Sequence, residues 1–292
     1  MTGLPISAAM RVIRDAMRHP LGGRRKLHTL AAIARWQVAS RLTRGPLDLP
    51  WIAGTRLLVE RGMTGATGNV YFGLHEVPDM AFMVHFLRPD ETLFDIGANI
   101  GSYALLAASA ARARVVAFEP HPRTAAFLER NIAHNRLGGQ IVVRRVALSN
   151  RTGSGALTDT LDTMNHLTSG AQPGGSTAVV LATLDGEAAR QRPAMLKIDV
   201  EGHEEMVLAG GAAALADPGL LAVEIETVTP LIDRQLRDAG FSERYYDPFA
   251  RRLQETPVAG LVAANRLYLR DPAVAQRRVT AAPALHVGGV VL

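Results

Sequence analysis

The ionisable side chains with the clearest catalytic potential lie in residues 195–204, Met-Leu-Lys-Ile-Asp-Val-Glu-Gly-His-Glu. In an extended strand successive side chains alternate, so four charged or titratable groups share one face: Lys197, Asp199, Glu201 and His203. A buried parallel strand is normally apolar on both faces, and charges near its carboxyl end are costly unless they are paired or functional. Because open α/β sheets bind ligands at that end, we interpret this row as a candidate acid–base catalytic site.

Other interpretations of this row remain open. Lys197 could pair with Asp199 or Glu224 and only satisfy the core. Glu204 could be no more than a charge at a helix N-terminus, where it interacts favourably with the helix dipole. The carboxylates of Asp199 and Glu201 could also hold Mg²⁺, since carboxylate oxygens are ligands that this ion prefers.

A glycine-rich turn forms the second candidate site. Residues 93–101 read Leu-Phe-Asp-Ile-Gly-Ala-Asn-Ile-Gly, an apolar run that ends in Asp95 and then a turn. A second apolar run, 115–118, ends in Glu119, where a carboxylate can accept hydrogen bonds from a ribose diol. This layout is typical of a nucleotide-type cofactor site on a βαβ unit, although glycines in such turns also serve packing alone.

The spacing of these glycines argues against a nicotinamide cofactor. The dinucleotide fingerprint is G-x-G-x-x-G, which lets a pyrophosphate approach a helix N-terminus. Here Asn99 stands two residues after Gly97, and the next glycine is Gly101. We therefore expect a cofactor with a ribose but no pyrophosphate, and S-adenosylmethionine fits that description.

The composition limits the class of protein. The chain has 292 residues, 48% of them hydrophobic, which is enough for one large α/β domain with an appendage. It has no cysteine, which excludes disulfides, thiolate metal ligands and a cysteine nucleophile. No apolar run approaches the roughly 20 residues of a membrane span, and residues 1–30 lack the apolar core of a signal peptide. We expect a cytoplasmic protein.

The basic character belongs to the N-terminal segment. Residues 1–50 hold nine Lys or Arg and two Asp, a charge of +7 in a chain whose total is +5, so residues 51–292 carry −2. Apolar residues recur at helical spacing in 6–18 and 27–43, which predicts two basic amphipathic helices. They could cap the main domain, form a homo-oligomer or bind an acidic surface.

Strands and helices alternate over most of the remaining chain. We expect strands at 92–96, 114–118, 141–147, 194–199, 219–225, 241–247 and 264–269, and helices at 78–87, 101–111, 122–135, 204–215 and 229–239. This pattern indicates a mostly parallel sheet covered on both faces, with the last two strands forming an antiparallel hairpin at one edge. Residues 51–75 look like short strands or a hairpin. The Gly-, Ser- and Thr-rich segment 150–176 looks like a long mobile loop of the kind that covers sites.

Four further polar residues are weaker candidates. Glu224 lies on a strand expected to be buried, so it should pair with another group or contact a ligand. We interpret His121 as a polar loop residue. Asn131 and Asn135 are expected to close a helix, since Asn suits helix ends.

Together these motifs resemble the FkbM family of S-adenosylmethionine-dependent methyltransferases over roughly residues 70–228. The matching segments are 95–101 (Asp-Ile-Gly-Ala-Asn-Ile-Gly), 118–120 (Phe-Glu-Pro), Asn131-Ile132 with Asn135, 146–149 (Val-Ala-Leu-Ser), 183–185 (Thr-Leu-Asp) and 196–202 (Leu-Lys-Ile-Asp-Val-Glu-Gly). The resemblance implies a class I methyltransferase Rossmann-like fold, with a seven-stranded, mostly parallel sheet, an antiparallel last strand and helices on both faces. We therefore divide the chain into a basic helical extension (1–50), a methyltransferase catalytic domain (51–270) and an unassigned C-terminal tail (271–292).

The resemblance also implies roles for single residues. The methionine side of the cofactor pocket would be shaped by Asp95, Gly97, Ala98, Asn99 and Gly101. Glu119 would hold the ribose, Ala147 and Leu148 would border the adenine, and Glu76 would line the pocket. The acceptor would be faced by Asp199, Glu201 and His203, with Lys197 beside them, although the family varies at position 203.

The activity that the family implies is O-methylation of a sugar, polyketide or other secondary metabolite. We mainly expect a small hydroxylated acceptor, which includes glycosylated ones. Mg²⁺ is a candidate second cofactor. The alternative acceptor is a macromolecule such as RNA or a glycan, bound by the basic N-terminal extension 1–50 (the basic arm). Aromatic residues are only 5% of the chain, which argues against nucleic acid because its binders usually add stacking groups to charge. A non-catalytic scaffold would not need the charged row at 197–203.

Overall fold

The computed structural model describes residues 6–158, 167–168 and 176–292. The helices in these ranges are α1 (Ile6–Arg18), α2 (Lys26–Leu42), α3 (Thr64–Phe72), α4 (Val77–Phe86), α5 (Ser102–Leu106), α6 (Pro122–His134), α7 (Leu184–Ala188), α8 (Glu204–Ala209), α9 (Ala212–Ala216), α10 (Pro230–Asp238) and α11 (Pro272–Ala281). The strands are β1 (Leu47–Pro50), β2 (Arg56–Val59), β3 (Thr92–Ile96), β4 (Arg114–Phe118), β5 (Ile141–Arg144), β6 (Val146–Ser149), β7 (Gly153–Thr158), β8 (Leu167–Thr168), β9 (Ser176–Thr183), β10 (Met195–Ile198), β11 (Ala222–Ile225), β12 (Ser242–Asp247), β13 (Arg252–Gln254), β14 (Arg266–Leu269), β15 (His286–Val287) and β16 (Val290–Val291).

An eight-stranded sheet in the order β13-β12-β14-β11-β10-β3-β4-β5 forms the centre of the protein. The neighbours from β11 to β5 are parallel, whereas β14 is antiparallel to both β11 and β12. The predicted α/β class, with its mostly parallel sheet and antiparallel last strand, is confirmed. The last strand lies inside the sheet, between β11 and β12, and the short strand β13 adds an eighth member at the edge.

Alternate residues of the central strands point into two separate hydrophobic cores. Leu93 and Val115 face one core, while Phe94 and Val116 face the other, and all four are buried. A sheet with both faces apolar must be covered by other elements on both sides. The first core includes the fully buried helix α4, and the apolar side chains of the strands therefore fix the sheet in the middle of the domain.

Several helices begin where the sequence carries a capping residue followed by proline. Thr229 precedes Pro230 at the start of α10, and its hydroxyl accepts a hydrogen bond from the N–H of Ile232. Asp271 precedes Pro272 at the start of α11, and its carboxylate accepts bonds from two backbone N–H groups at 2.9 Å. Proline fits the first helical turn because its missing N–H would have no partner there.

Three predicted elements need correction. The strand expected at 141–147 is broken at Arg145 into β5 and β6, and β6 belongs to a second sheet in the order β6-β9-β7-β8. In segment 150–176, β7, β8 and the start of β9 are paired strands although Gly and Ala are poor strand formers, because β7 pairs with β8 and β9 on either side. Residues 159–166 and 169–175 lie outside the described residues. The segment 51–75 contains part of the hairpin β1–β2 but then forms the helix α3.

The two predicted N-terminal helices are confirmed as α1 and α2. α2 turns Thr29, Ile33 and Trp36 inward, and Gln37 donates a hydrogen bond to the hydroxyl of Tyr71 on α3 at 3.1 Å. At the other end of the chain, α11 packs on α4, and β15 and β16 form a hairpin. Among the described helices, none has the length and apolar character needed to cross a membrane. The three proposed domain boundaries stay predictions.

Candidate active site

Four neighbouring strands end beside one cavity of about 740 Å³. The residues that directly follow β3, β4, β10 and β11 all line it: Gly97, Glu119, Asp199 and Glu226. The chain continues outward from β3 through β4 and β5 on one side, and from β10 to β11 on the other. The cavity therefore lies at the topological switch point, where open α/β sheets bind ligands.

The turn after β3 depends on glycine. Gly97 has a φ of +85°, and a Cβ atom there would lie 1.8 Å from the carbonyl oxygen of Asp199. Gly101 has a φ of +98°, and its Cβ would meet the Leu128 side chain at 2.5 Å. Asn99 is also left-handed, with φ 50°, a conformation that Asn tolerates better than most residues. Only glycine at position 97 lets this turn pass so close to the end of β10.

Glu119 joins the turn to the start of α6 while lining the cavity. Its Oε2 accepts a hydrogen bond from the N–H of Asn99 at 3.0 Å, and its Oε1 accepts one from the N–H of His121 at 2.9 Å. Burial raises the pKa of Glu119 to about 7, against the effect of these two donors. Each carboxylate oxygen has a second lone pair, which can accept a bond from a hydroxyl group in the cavity.

Lys197 is a buried cation beneath the cavity. Its side chain is 3% exposed, and its Nζ lies 2.7 Å from Oδ2 of Asp199. The strand register places Lys197 between Asp95 on β3 and Glu224 on β11. Burial alone would lower the pKa of Lys197, but the surrounding carboxylates, Asp199 foremost, outweigh it and hold that pKa above its usual value. The lysine is therefore charged at neutral pH.

The two acids beside Lys197 differ from Asp199. Burial raises the pKa of Asp95 to about 7 and the pKa of Glu224 well above its usual value. Within the described residues, Asp95 Oδ2 and both carboxylate oxygens of Glu224 have no hydrogen-bond partner. Burial therefore favours the neutral form of Glu224, and Lys197 pairs with Asp199, one of the two partners that the sequence left open.

Three carboxylates meet at one side of the cavity, beside the ends of β10 and β11. Asp199, Glu201 and Glu226 bring carboxylate oxygens within 4.8 Å of one another. Burial opposes ionisation of Asp199, yet the ammonium group of Lys197 holds the pKa of Asp199 below its ordinary value. Burial and the hydrogen bond with Asp199 raise the pKa of Glu226. Asp199 therefore carries the negative charge of this pair, and Glu226 holds the proton.

His203 also lines the cavity. Its Nε2 lies 3.0 Å from the hydroxyl of Ser149, and burial lowers the pKa of His203, so the imidazole is neutral at pH 7. Glu204 does not face the cavity. It is buried, and its Oε1 accepts hydrogen bonds from the N–H groups of Val200 and Gly202, both at 3.3 Å. Glu204 thus stabilises the loop that presents His203.

Glu76 also lines the cavity, and its carboxylate is close enough to Lys197 to help raise the pKa of that lysine. The Tyr103 hydroxyl donates to Glu76 Oε2 at 2.5 Å, and Asn265 Nδ2 donates to the same oxygen at 3.2 Å. Asp79, one turn further along α4, accepts bonds from the N–H groups of Ala264 and Asn265. The loop before β14 thereby holds the start of α4, and with it Glu76, against the cavity.

Apolar side chains form another part of the cavity lining. Ala147 and Leu148 of β6 are buried and line the cavity, together with Phe118 and Ile100. They stand there because β6 leaves the main sheet and pairs with β9. A flat, uncharged surface of this kind suits an aromatic ring such as a purine.

Nine of the thirteen predicted site residues line the cavity: Glu76, Gly97, Asn99, Glu119, Ala147, Leu148, Asp199, Glu201 and His203. The other four lie beneath or beside its wall: Asp95, Ala98, Gly101 and Lys197. Sequence reasoning missed Glu226 and the segment 60–63, which also border the cavity. Glu226 could have been found, since it follows β11 as Asp199 follows β10.

Asn131 has a larger role than closing a helix. Its side chain is fully buried within α6, accepts a hydrogen bond from the N–H of Leu58 at 2.8 Å and donates one to the carbonyl of Ile100 at 3.0 Å. Asn135 does end α6, as expected, and also bonds both backbone groups of Arg56. These two side chains attach the hairpin β1–β2 to the main domain, and Asn131 also fixes the end of the glycine turn.

The strand order, with an antiparallel last strand between β11 and β12, is that of the class I methyltransferase fold. Residues 95–243 match the family described as "Methyltransferase FkbM domain", and the chain belongs to this family. The resemblance expected from the sequence motifs is thereby confirmed.

One curated relative is the hexuronic acid methyltransferase AglP of Haloferax volcanii, which is 32% identical over 141 residues. That match covers 47% of this chain and 56% of the relative, so the chain spans about half of the relative's length. Among solved structures, precorrin-6y C5,15-methyltransferase of Geobacter metallireducens is 15% identical, with a TM-score of 0.39 over 67% of this chain and 86% of that one. A SAM-dependent methyltransferase of Agrobacterium tumefaciens is 10% identical, with a TM-score of 0.42 over 78% and 71%.

Proposed function

We propose that this enzyme is an S-adenosylmethionine-dependent O-methyltransferase that acts on a hydroxyl group of a sugar or another secondary metabolite. The observation that carries this proposal is the convergence of four strand ends on one cavity. Glu119 is then placed for a ribose on one side, and Asp199, Glu226 and His203 can handle a proton on the other. The named activity of the Haloferax relative, on a hexuronic acid, supports a sugar acceptor.

The residues present fit the proposed cofactor. Gly97 leaves the space that a Cβ would fill, so the backbone can approach a ligand closely. Glu119 keeps lone pairs for two ribose hydroxyls, and the wall formed by Ala147 and Leu148 suits the adenine ring. Glu76 faces the remaining side of the cavity, where a carboxylate favours an ammonium group. Bound S-adenosylmethionine would supply an electrophilic methyl group.

The residues of the chain would position the acceptor and remove its proton. A hydroxyl group is a poor nucleophile, so a base must accept its proton as the methyl group is transferred. Asp199 is kept ionised by Lys197, and neutral His203 offers a second proton acceptor beside it. Asp199→Ala should abolish turnover while cofactor binding survives. An active Asp199→Ala enzyme would show that another group is the base.

A requirement for Mg²⁺ stays a prediction of the sequence. Asp199, Glu201 and Glu226 would offer hard oxygen ligands, but acidic residues close to one another do not by themselves define a metal site. Turnover measured with added Mg²⁺ and after treatment with a chelator will decide this point. Equal rates under both conditions would assign these carboxylates to proton handling alone.

The decisive experiment is calorimetric titration with S-adenosylmethionine and S-adenosylhomocysteine, with Glu119→Gln as the variant. Gln keeps the size of the side chain but loses the charge, which should weaken binding about tenfold or more, because a hydrogen bond to a charged group contributes about 1.5–3 kcal/mol. A panel of uronic acids and neutral sugars then identifies the acceptor. Folded protein that binds neither ligand would refute the proposal.

The alternative of a macromolecular acceptor held by the basic arm has less support. In the described part of the chain, the residues that line the cavity begin at Glu60, beyond the arm. Replacing the exposed arginines Arg35 and Arg41 of the arm by glutamate should therefore leave turnover of a small acceptor intact, whereas deleting the arm would also remove the buried core residues Ile33 and Trp36. The cytoplasmic location and self-association through the arm stay predictions; gel filtration coupled to light scattering tests the second.

A further inference from the structure

The helix α2 carries an outward face that is both apolar and basic. At 100° per residue, Leu27, Ala31, Ala34, Val38 and Leu42 lie in one strip along the helix. Thr29, Ile33 and Trp36 lie on the opposite side and are buried. Leu27 is 85% exposed, Val38 58% and Leu42 80%, and both alanines are exposed.

This strip is unusual for the surface of the molecule. Of the eleven large hydrophobic side chains exposed among the described residues, three belong to this strip, and Leu30 on the same helix is a fourth. Single exposed apolar residues need no explanation, but a strip about 25 Å long on one helix points to a contact surface.

The charges around the strip all have one sign. Arg35 lies at one edge of the strip and Arg41 at the other, and both are exposed. No Asp or Glu occurs between Asp15 and Asp48, whereas that interval contains seven Lys or Arg. The strip therefore combines aliphatic side chains with uncompensated positive charge.

We propose that the outer face of α2 docks on an anionic lipid surface, with Leu27, Val38 and Leu42 in the acyl boundary. Arg35 and Arg41 bury their aliphatic stems beside the strip and reach lipid phosphates with their guanidinium groups. Both components of the face are used in this arrangement, because anionic lipids attract the charges and the acyl region accepts the leucines. The helix lies in the interface and does not span the bilayer.

Two other occupants fit less well. A second copy of the chain would bring two arms of the same sign together, and the interval 16–47 has no acidic residue to pair with the arginines. A nucleic acid would satisfy the charges but leave the aliphatic strip exposed, and Trp36, the aromatic residue of α2, is buried on the inner side.

The test is sedimentation of the full chain with phosphatidylglycerol–phosphatidylcholine vesicles and with pure phosphatidylcholine vesicles. We expect retention on the anionic vesicles, weaker retention on the neutral ones and loss of binding as salt rises. Leu27→Ser with Leu42→Ser should weaken retention at least about tenfold. The matched control is Leu231→Ser with Val262→Ser, two apolar residues that are 59% and 87% exposed elsewhere on the surface.

A charge variant tests the other component. Arg35→Glu should weaken retention on anionic vesicles about tenfold, while Arg277→Glu on α11 should leave it unchanged. All these side chains are exposed, so the variants should fold, which circular dichroism checks. Equal retention on neutral and anionic vesicles, or retention unaffected by the α2 variants, would overturn the proposal. So would a dimer that dissociates in Leu27→Ser with Leu42→Ser, or RNA binding at a salt concentration at which vesicles are not retained.

Discussion

Replacing Lys197 by methionine tests the electrostatic framework beneath the cavity. The variant keeps most of the side-chain volume but removes the positive charge that compensates Asp199 at 2.7 Å and Asp95 on the neighbouring strand. Removing one partner of a buried ion pair typically costs about 3–5 kcal/mol of unfolding free energy, because the other charge stays buried and uncompensated. For a chain of this size, that corresponds to a fall in melting temperature of about 6–20 °C.

Removing the anionic partner of the pair, in Asp199→Asn, should cost less unfolding free energy. In Asp199→Asn the ammonium group still lies among Asp95, Glu76 and the carbonyl oxygen of the new amide, and the side chain at 199 is 31% exposed. We expect a loss of about 1–2 kcal/mol, close to that of a single hydrogen bond to a charged group. Asp199→Asn should lose less unfolding free energy than Lys197→Met because the single ammonium group interacts with several carboxylates.

The loss in Lys197→Met should also depend on pH. Burial raises the pKa of Asp95 to about 7 even with the lysine present, and without it the pKa rises further. Protonation then removes the uncompensated charge, so the penalty should shrink as the pH falls from about 8 to about 6. Urea unfolding followed by circular dichroism at both pH values measures it. A penalty below about 1 kcal/mol at the higher pH, or a larger penalty for Asp199→Asn, would refute this account.

Three further substitutions probe the site. Gly97→Ala should abolish cofactor binding and lower the melting temperature, because the new Cβ would lie 1.8 Å from the Asp199 carbonyl oxygen. Calorimetry that shows normal cofactor affinity would contradict this close approach of the turn to the end of β10. Asn131→Ala should cost about 2–3 kcal/mol in urea unfolding, since it leaves buried backbone groups without partners, and a neutral result would mean that water replaces the amide. Cofactor affinity of the unmodified enzyme should weaken as the pH falls through about 7, where Glu119 gains a proton, whereas Glu119→Gln should lack this component of the pH dependence. An identical pH profile for the two proteins would exclude Glu119 as the titrating group.

The strand ends could be predicted because burial leaves a strong sequence signal. β3, β4, β10 and β11 are short apolar runs, and the residues after them are where a parallel sheet binds ligands. This rule selects Glu119 and Asp199 directly. At β11 the sequence interpretation selected Glu224, which lies inside the strand. The same rule selects Glu226 instead, because Glu226 follows the strand and lines the cavity.

Long-range contacts between polar side chains could not be predicted from spacing. The hydrogen bond from Leu58 to Asn131 joins residues 73 positions apart, and the sequence around either residue does not predict its partner. The second sheet was missed for a related reason. β6 follows β5 after one residue, and only its pairing with β9 shows that the two strands belong to different sheets.

The residues at which local rules fail are concentrated around the cavity. Asn99 and Glu201 adopt left-handed conformations without being glycine, and Lys197 is a buried charge. Beside it, one oxygen of Asp95 and both carboxyl oxygens of Glu224 lack a hydrogen-bond partner among the described residues. Each of these features costs free energy, through backbone strain or desolvation, and an apolar strand end would not incur this cost. Such costs persist where the surrounding structure fixes them, here through Asn131 on the turn and Glu204 on the loop after β10. The same features place the backbone of the turn, the carboxylate of Asp199 and its buried cation within one small volume, which is the arrangement that the proposed methyl transfer would use.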